Sequence, residues 1–398
     1  MKKIEIPEYV RVLLDKLEKS DFEAYVVGGA VRSSLLGELP HDYDVTTSAT
    51  PDEMKAVFCG FKVIETGLKH GTLTVLSEGH PVEITTYRVD GEYSDGRRPD
   101  GVSFTRNLED DLARRDFTVN AMAYSEKRGL VDLYGGARDI ENKIIRTVGD
   151  PEKRFSEDHL RILRAIRFAS RLGFGIHPDT SAAMRHLASN MKILARERVY
   201  SEIRGIVCGE YAAEILNEYT DVVACVLEGF SGTKLLEKCK SSDFSVRLAM
   251  ISDGFESEDA ALSAVKSLKT DNKTLSVTSR LVKLLFSPDM ITGERVIEYA
   301  LQNGTEFALL ATDVLCAKNA EIGRAARKLL VDRLSEGACF DVKSLKIKGA
   351  DVIALGGSGT IVGEVLDKLL HLCANGYIAN DRRILLEKAE EILDTIHE

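Results

Sequence analysis

Tyr25-Val-Val-Gly-Gly-Ala-Val-Arg32, followed ten residues on by Asp42-Tyr-Asp44, is the stretch from which the rest of this 398-residue chain is read. An apolar run ending in a glycine pair predicts a buried strand that enters a tight turn. With no Cβ in the way, backbone N–H groups there can approach a phosphate. A short helix is expected from Val31 to Leu36, then Pro40, then the two aspartates leading into Val45-Thr46-Thr47. In extended backbone Asp42 and Asp44 project from one face. Two hard oxygen ligands on one rigid element suit Mg²⁺. A glycine pair alone reads as a turn, and an Asp-x-Asp alone as a solvated loop. It is the order of the parts that points to a site for metal-bound nucleotide.

Around that stretch the chain is acidic, with a formal net charge of −10. That charge argues against a protein that coats nucleic acid by bulk electrostatics, but it leaves room for a local basic track. Between Leu160 and Leu172 there are four arginines, at 161, 164, 167 and 171, and no acid. On a helix they fall within about a third of the circumference. A solvated helix face normally mixes signs, so this stripe is expected to face something anionic.

The length exceeds one ordinary core and suggests two to four domains. A hydrophobic content of 44% and a charged content of 29% describe a globular protein. No apolar run approaches the roughly 20 residues that span a bilayer, and Met1-Lys-Lys-Ile-Glu-Ile-Pro7 has no signal-peptide core. A cytoplasmic protein without membrane association is expected. The cysteines at 59, 208, 225, 239, 316, 339 and 373 are scattered and never form a Cys-x-x-Cys pair. Neither a disulfide framework nor a zinc site is indicated.

Up to about residue 148 short β-rich runs alternate with turns, at Ala24–Val27, Tyr43–Thr47, Thr72–Leu76, Val82–Arg88 and Leu130–Leu133. Beyond Asp150 apolar residues recur at helical spacing, as in Leu160/Leu163/Ile166 and Val362/Leu366/Leu369. An α/β head followed by a long all-helical portion is expected, with the boundary near Gly149-Asp150-Pro151. The Tyr87–Arg115 segment is rich in turn chemistry, with Asp90-Gly91, Asp95-Gly96 and Pro99-Asp100-Gly101. Connections of this length are uncommon unless functional or mobile, so it reads as a flexible loop near the active site.

Further motifs follow: Arg114-Arg-Asp-Phe-Thr-Val-Asn120-Ala-Met-Ala-Tyr124, Asp132-Leu-Tyr-Gly-Gly-Ala-Arg-Asp139, Glu157-Asp-His-Leu-Arg161-Ile-Leu-Arg164-Ala-Ile-Arg167-Phe168 and Ala195-Arg-Glu-Arg-Val199. With the opening stretch, in this order, they resemble the class II tRNA nucleotidyltransferase and bacterial poly(A) polymerase family over about the first 205 residues. The later half is similar less sharply, mainly at Leu345–Leu393. The resemblance implies an α/β head of polymerase β-like type with a mixed sheet, followed by an extended all-α neck, body and tail. It places the head at 1–148, the neck at 149–205, the body at 206–290 and the tail at 291–398.

The implied reaction is nucleotidyl transfer to an RNA 3′ end with release of pyrophosphate. Asp42 and Asp44 would hold two Mg²⁺ ions, one lowering the pKa of the attacking hydroxyl and one bridging the triphosphate. Glu83, in the alternating strand Val82-Glu-Ile-Thr-Thr-Tyr87, is a third candidate carboxylate; its alternative is a solvated strand residue. Gly28, Gly29 and Arg32 would meet the triphosphate, Arg32 with a fixed charge and a bidentate fork.

The family adds defined bases without a nucleic-acid template. Asp158 and Arg161, three apart on a helix face, would stand in for a base edge. The aspartate accepts from the amine of cytosine or adenine, and the arginine donates to ring acceptors. Uracil and guanine would leave facing acceptors unpaired. Arg115, Arg164 and Arg167 would surround the phosphates or support that pair. Asp158 by itself also reads as an acid favoured at a helix N-terminus.

At Ser33 the chain departs from the family, which usually carries Asp there. A hydroxyl cannot neutralise Arg32, and altered efficiency is expected. The segment Phe61-Lys-Val-Ile-Glu-Thr-Gly67-Leu-Lys-His70-Gly71-Thr resembles the tRNA enzymes more than poly(A) polymerases. Asp95-Gly-Arg-Arg98-Pro looks like an intact arginine-bearing loop, which favours full CCA addition from CTP and ATP onto tRNA. An A-adding enzyme, a poly(A) polymerase and a non-catalytic RNA-binding scaffold are the alternatives. No His-Asp phosphohydrolase motif is evident in the helical half. Lys234–Lys240 and Arg382-Arg383 are candidate RNA contacts, and Gly363 in the Gly357–Gly363 run is expected to serve close helix packing.

Overall fold

A computed structural model describes residues 4–91, 101–287 and 295–397. The chain divides into two compact units, Met1–Leu227 and Glu228–Glu398.

The first unit is built on a seven-stranded mixed sheet. In chain order the strands and helices begin with α1 (Glu8–Lys19), β1 (Ala24–Val27), α2 (Gly29–Leu36), β2 (Asp44–Thr47), α3 (Pro51–Val57), β3 (Lys62–Ile64), β4 (Thr72–Ser77) and β5 (His80–Thr86). A two-stranded ribbon, β6 (Arg88–Asp90) with β7 (Val102–Phe104), stands apart from the sheet, followed by α4 (Leu108–Ala113). The sheet is completed by β8 (Met122–Ser125) and β9 (Gly129–Asp132), in the order β3-β4-β5-β2-β1-β8-β9.

All four residues of β1 are buried, because the strand lies inside the sheet and is covered on both faces. Tyr25 and Val27 pack with Leu108 and Leu112 of α4 and with Tyr87. β2 runs antiparallel to β1 and parallel to β5. α3 starts in a capping box, where the Thr50 hydroxyl accepts from Glu53 N and the Glu53 carboxylate accepts from Thr50 N.

After β9 come α5 (Gly136–Glu141), α6 (Pro151–Glu157), α7 (Leu160–Leu172), α8 (Pro178–Leu187) and α9 (Arg196–Val207). Both carboxylate oxygens of Asp132 accept from the free amides at the start of α5, Gly136 N at 2.8 Å and Ala137 N at 2.9 Å. A Cβ on Gly136 would stand 2.2 Å from the carbonyl oxygen of Thr118. This close approach explains Gly136, which seats the turn that carries Asn120, while Gly135 before it takes a left-handed φ of 75°. α6 is capped by Asp150, whose carboxylate accepts from Glu152 N, with Pro151 at its first position.

The second unit is helical among its described residues, from Leu235–Lys238 to Arg382–His397. Leu345, Ile347, Val352, Val365, Leu369, Leu385, Ala389 and Leu393 form one buried cluster there.

Several expectations are corrected. The Tyr87–Arg115 segment is not one loop: its flanks pair as β6 and β7, and Asn107 caps α4 by accepting from Glu109 N. Residues 92–100, with Asp95-Gly-Arg-Arg98-Pro, lie outside the described residues. The strand expected to run through Arg88 ends at Thr86, and Arg88 opens the separate ribbon. β2 begins at Asp44, so Asp42 precedes the strand and does not share it. α7 begins at Leu160, and Asp158 stands in extended backbone (φ −146°, ψ 104°) between α6 and α7, where a shared helix face with Arg161 was expected.

Candidate active site

Strand register assembles the acidic side of the site. Val27, the last residue of β1, lies opposite Asp44, and Asp44 lies opposite Glu83 across the parallel β2/β5 pair. The chain leaves β1 through Gly28 at φ 68° and ψ −126°, backbone that a side chain tolerates poorly. A Cβ at Gly28 would also stand 3.3 Å from Nη1 of Arg115. α2 then starts with no side-chain cap, which leaves its first amides available to an anion.

Asp44 opens onto solvent, yet the protein packed around it pushes its carboxyl above the usual range. Glu83 and Asp42 add to that push and Arg115 opposes it. The excess of negative charge at these carboxylates is what a divalent cation would relieve. Among the described residues no three Asp, Glu, His or Cys side chains form a ready metal cage. The donor set nevertheless fits Mg²⁺, which binds through one or two carboxylates and takes its remaining oxygens from water and phosphate.

Arginines form the opposite wall. Arg32 donates to Oδ1 of Asn120, and its guanidinium lies 5.1 Å from the centre of the Phe168 ring. Burial lowers its pKa to about 10; Asp116 opposes this, while Arg167 and Arg171 add to it. Arg114 reaches Oδ1 of Asp111 through Nε at 3.0 Å and Nη2 at 2.6 Å, and Arg115 Nη2 reaches Oδ2 at 3.2 Å. The Asp111 side chain is fully buried. Burial alone would raise its pKa, but the two arginines hold it below the usual carboxylate range. Arg164 meets Asp116 at 2.8 Å through Nε and 2.6 Å through Nη2. Burial again pushes Asp116 upward, and Arg164 with Arg161 holds it low. The Nε atoms of Arg32 and Arg115 are buried without a hydrogen-bond partner. Arginines packed this closely with donors unspent suit a triphosphate.

Residues of α7 and α9, with Asp158 at the break between α6 and α7, line the remaining side of the cleft. Asp158 Oδ1 accepts from Leu160 N at 3.1 Å, and Oδ2 accepts from Arg198 Nη2 of α9 at 2.7 Å. Arg161, buried at 8% exposure, donates to the Arg154 carbonyl at 3.0 Å and to the Glu157 carboxylate. Three of the four arginines in the α7 stripe therefore meet carboxylates of this chain: Arg161 with Glu157, Arg164 with Asp116, and Arg167 with Glu202 at 2.6 Å.

Of the residues singled out in sequence, Gly28, Gly29, Arg32, Asp44, Arg115, Asp158, Arg161 and Arg164 line one cleft of ≈ 520 Å³. Asp42 lines an adjoining recess with Asp44, Ser33, Glu38 and Arg171. Glu83 is beside Asp44 by register, and Arg167 is turned to Glu202. Sequence reading missed Asp111, Asp116, Asn120, Phe168 and Arg198 as parts of the site. Asp116, Asn120, Phe168 and Arg198 stood inside motifs already quoted, so the signal was present without a role. Asp111 sits in the acidic run Glu109-Asp110-Asp111, which reads as an ordinary helix start.

The signature of the poly A polymerase head domain matches residues 24–146, that of an RNA and SrmB binding site of polymerase A matches 173–221, and that of tRNA nucleotidyltransferase domain 2 matches 246–389. The chain is 36% identical over 393 residues to a CCA-adding enzyme of Ligilactobacillus salivarius, covering 96% of each chain. It is 48% identical over 205 residues to a CCA-adding enzyme of Leuconostoc citreum, covering 52% of this chain and 50% of that one. Among solved structures it resembles the Bacillus stearothermophilus CCA-adding enzyme in complex with CTP, at a TM-score of 0.80 and 31% identity over 98% of this chain and 99% of that chain.

Proposed function

This chain belongs to the family of CCA-adding enzymes, and we propose that it adds C, C and A in turn to the 3′ end of tRNA, using CTP and ATP and releasing pyrophosphate. One observation carries the reading: a single cleft holds the Gly28-Gly29 turn and Asp44 on the head side and Asp158, Arg161 and Arg198 on the neck side. The first group suits a triphosphate. The second faces whatever is attached to it.

Asp42 and Asp44 are the proposed metal ligands, with Glu83 beside them. Mg²⁺ held by these carboxylates would supply Lewis-acid chemistry, lowering the pKa of the 3′-hydroxyl and offsetting the charge of the triphosphate. Gly28 shapes the turn, with its own amide donating to the Met122 carbonyl at 3.4 Å, Gly29 at the uncapped start of α2 offers a backbone amide, and Arg32 and Arg115 offer fixed positive charge to the phosphates. Arg164 holds Asp116 and keeps the neck against the head. Arg167, tied to Glu202, supports the same wall from behind. Asp158 presents carboxylate oxygen to the amine of cytosine or adenine, and Arg161 lies beside it as a donor. Uracil and guanine place a carbonyl against that carboxylate and are refused. Ser33 leaves Arg32 without an adjacent carboxylate; Asn120 receives its hydrogen bond and Asp116 supplies the opposing charge.

The finer division of the helical part into neck, body and tail, and tRNA binding by residues 291–398, belong to the same proposal. No helix among the described residues is long and apolar enough to cross a membrane.

Purified protein with Mg²⁺, labelled CTP or ATP, and tRNA transcripts ending before the first C, before the second C or before A tests this reading. Incorporation of C on the first two and of A on the third is expected. Incorporation only on the transcript already ending in CC would make it an A-adding enzyme, and none on any transcript would exclude the enzyme reading.

A further inference from the structure

We propose that Tyr9 of α1 is a positioning residue for the candidate metal site: its ring, packed between those of Tyr43 and His80, sets where the Asp42 carboxylate stands relative to Asp44. The inference rests on the reading of these carboxylates as metal ligands. Asp44 is fixed by the sheet, paired with Val27 on one side and Glu83 on the other. Asp42 has no such support. It precedes β2, and among the described residues no hydrogen bond holds its backbone or its side chain. Two carboxylates that share a cation must keep a set separation, and an ion as small as Mg²⁺ tolerates little error in it. Asp42 therefore needs another anchor.

That anchor is the residue between the two aspartates. Side chains alternate along extended backbone, so Tyr43 leaves the chain away from Asp42 and Asp44. The aspartates are exposed and line the recess beside the cleft, whereas Tyr43 is buried and lines a different recess with Ile6, Pro7 and Arg11. Its ring meets Tyr9 edge to face, with centroids 6.3 Å apart and planes at 90°. Tyr9 in turn stacks on His80, at 4.4 Å and 21°. His80 opens β5, the strand that carries Glu83. Edge-to-face and stacked ring pairs have preferred geometries, so they fix a ring in angle as well as in place.

Tyr9 can serve as a brace because its helix is held independently, by burial of Val10, Leu13, Leu14 and Leu17. It lines neither the cleft nor the recess that holds Asp42, so it acts through Tyr43 and does not touch the nucleotide. The Tyr9 hydroxyl makes no hydrogen bond among the described residues, which leaves the ring to carry the effect. A brace of this kind has its own signature: losing the ring weakens the metal, and excess metal restores the rate.

Mn²⁺ binding to the full-length protein is measured by loss of the free-ion EPR signal. The Mg²⁺ concentration for half-maximal addition of C is measured at saturating CTP and tRNA. Both are determined for the wild type, Tyr9→Ala, Tyr9→Phe, His80→Ala and Asp44→Asn, with a melting temperature for each. Direct partners of metal ligands change affinity roughly 10–100-fold, so Tyr9→Ala, one step further out, is expected to weaken Mn²⁺ about tenfold and raise the Mg²⁺ requirement by a similar factor. Its rate at saturating Mg²⁺ should recover most of the wild-type value. Tyr9→Phe keeps the ring and should match the wild type in both readouts. His80→Ala should shift both in the same direction by less. A Tyr9→Ala protein that melts lower yet keeps wild-type Mn²⁺ affinity and Mg²⁺ requirement, or whose lost rate no Mg²⁺ concentration restores, would overturn the proposal and leave Tyr9 as ordinary packing. If Tyr9→Ala does not fold, His80→Ala decides, and the absence of a shift there overturns the brace. Mn²⁺ binding that survives in Asp44→Asn would overturn the metal reading and the brace with it, whereas binding lost in Asp44→Asn but unmoved in Tyr9→Ala would overturn the brace alone.

Discussion

Gly28 carries two separate constraints, a backbone angle that disfavours any side chain and the closeness of Arg115, so replacing it should be felt in stability and in nucleotide binding together. Gly28→Ala is expected to cost about 1–3 kcal/mol of stability from backbone strain, read by denaturant unfolding, and to weaken nucleotide binding by displacing Arg115. Unchanged stability would show that the turn relaxes freely. Asp44 makes the complementary case, since it is exposed and holds nothing together. Asp44→Asn should leave the melting temperature within a few degrees while lowering the rate more than about 100-fold, because even outer-shell partners of metal ligands cost roughly 10–100-fold. Both residues were legible in sequence because their chemistry is local: a turn that needs glycine and a carboxylate next to a strand. Asp116 and Arg198 were less legible, since their roles exist only once residues some forty positions away are folded against them. Asp158 was placed on a helix by spacing alone, whereas the chain breaks between α6 and α7 at that residue and reassigns its partner from Arg161 to Arg198.

Among the elements, α4 is short, yet it carries the buried carboxylate that gathers two cleft arginines. Removing one partner of a buried pair leaves uncompensated charge and costs on the order of 3–5 kcal/mol. Asp111→Asn should therefore lower stability by about 3 kcal/mol at neutral pH. The pH dependence has a definite sign. Asp111 is held below its ordinary value in the folded protein, so its stabilisation is complete above the unfolded-chain value of about 3.9 and is lost as pH falls toward the folded value. Thermal melts from pH 6 to 3 should show a shallower acid loss in Asp111→Asn than in the wild type, and parallel curves would show that the pair carries no such linkage. This helix and the β6/β7 ribbon lie where turn-forming dipeptides suggested a single loop. The reason is physical: Asp-Gly and Pro-Asp-Gly signal bends, and the ribbon strands flanking them are only three residues each, too short for a period-two pattern to show. β8 was missed because its four residues, Met122–Ser125, are all buried and so do not alternate. β1, equally buried, was read because the glycine turn marks its end.

Over the whole molecule, a chain of net charge −10 has to meet an anionic RNA through local patches. The division at Leu227/Glu228 allows this to be examined by truncation. Residues 1–227 alone should melt cooperatively and bind CTP within about threefold of the full chain, while tRNA affinity falls at least tenfold or so with the phosphate contacts of the remaining helices removed. Full tRNA affinity in the fragment would contradict the proposed role of the C-terminal helices. The head-then-helices order was legible because periodicity changes from two to 3.6 near Asp150, whereas the break at residue 227 is marked only by the short Glu228-Gly-Phe-Ser-Gly-Thr233 stretch, which reads as an ordinary turn between helices. The central claim is that one cleft chooses both the reaction and the bases. The most direct measurement gives the full-length protein a tRNA transcript lacking its last three nucleotides, with all four nucleoside triphosphates and Mg²⁺ together, and sequences what is added. The account predicts C, C and A, then arrest, with no U or G and no extension by Asp44→Asn. A run of adenosines, or uridine and guanosine in the product, would contradict it.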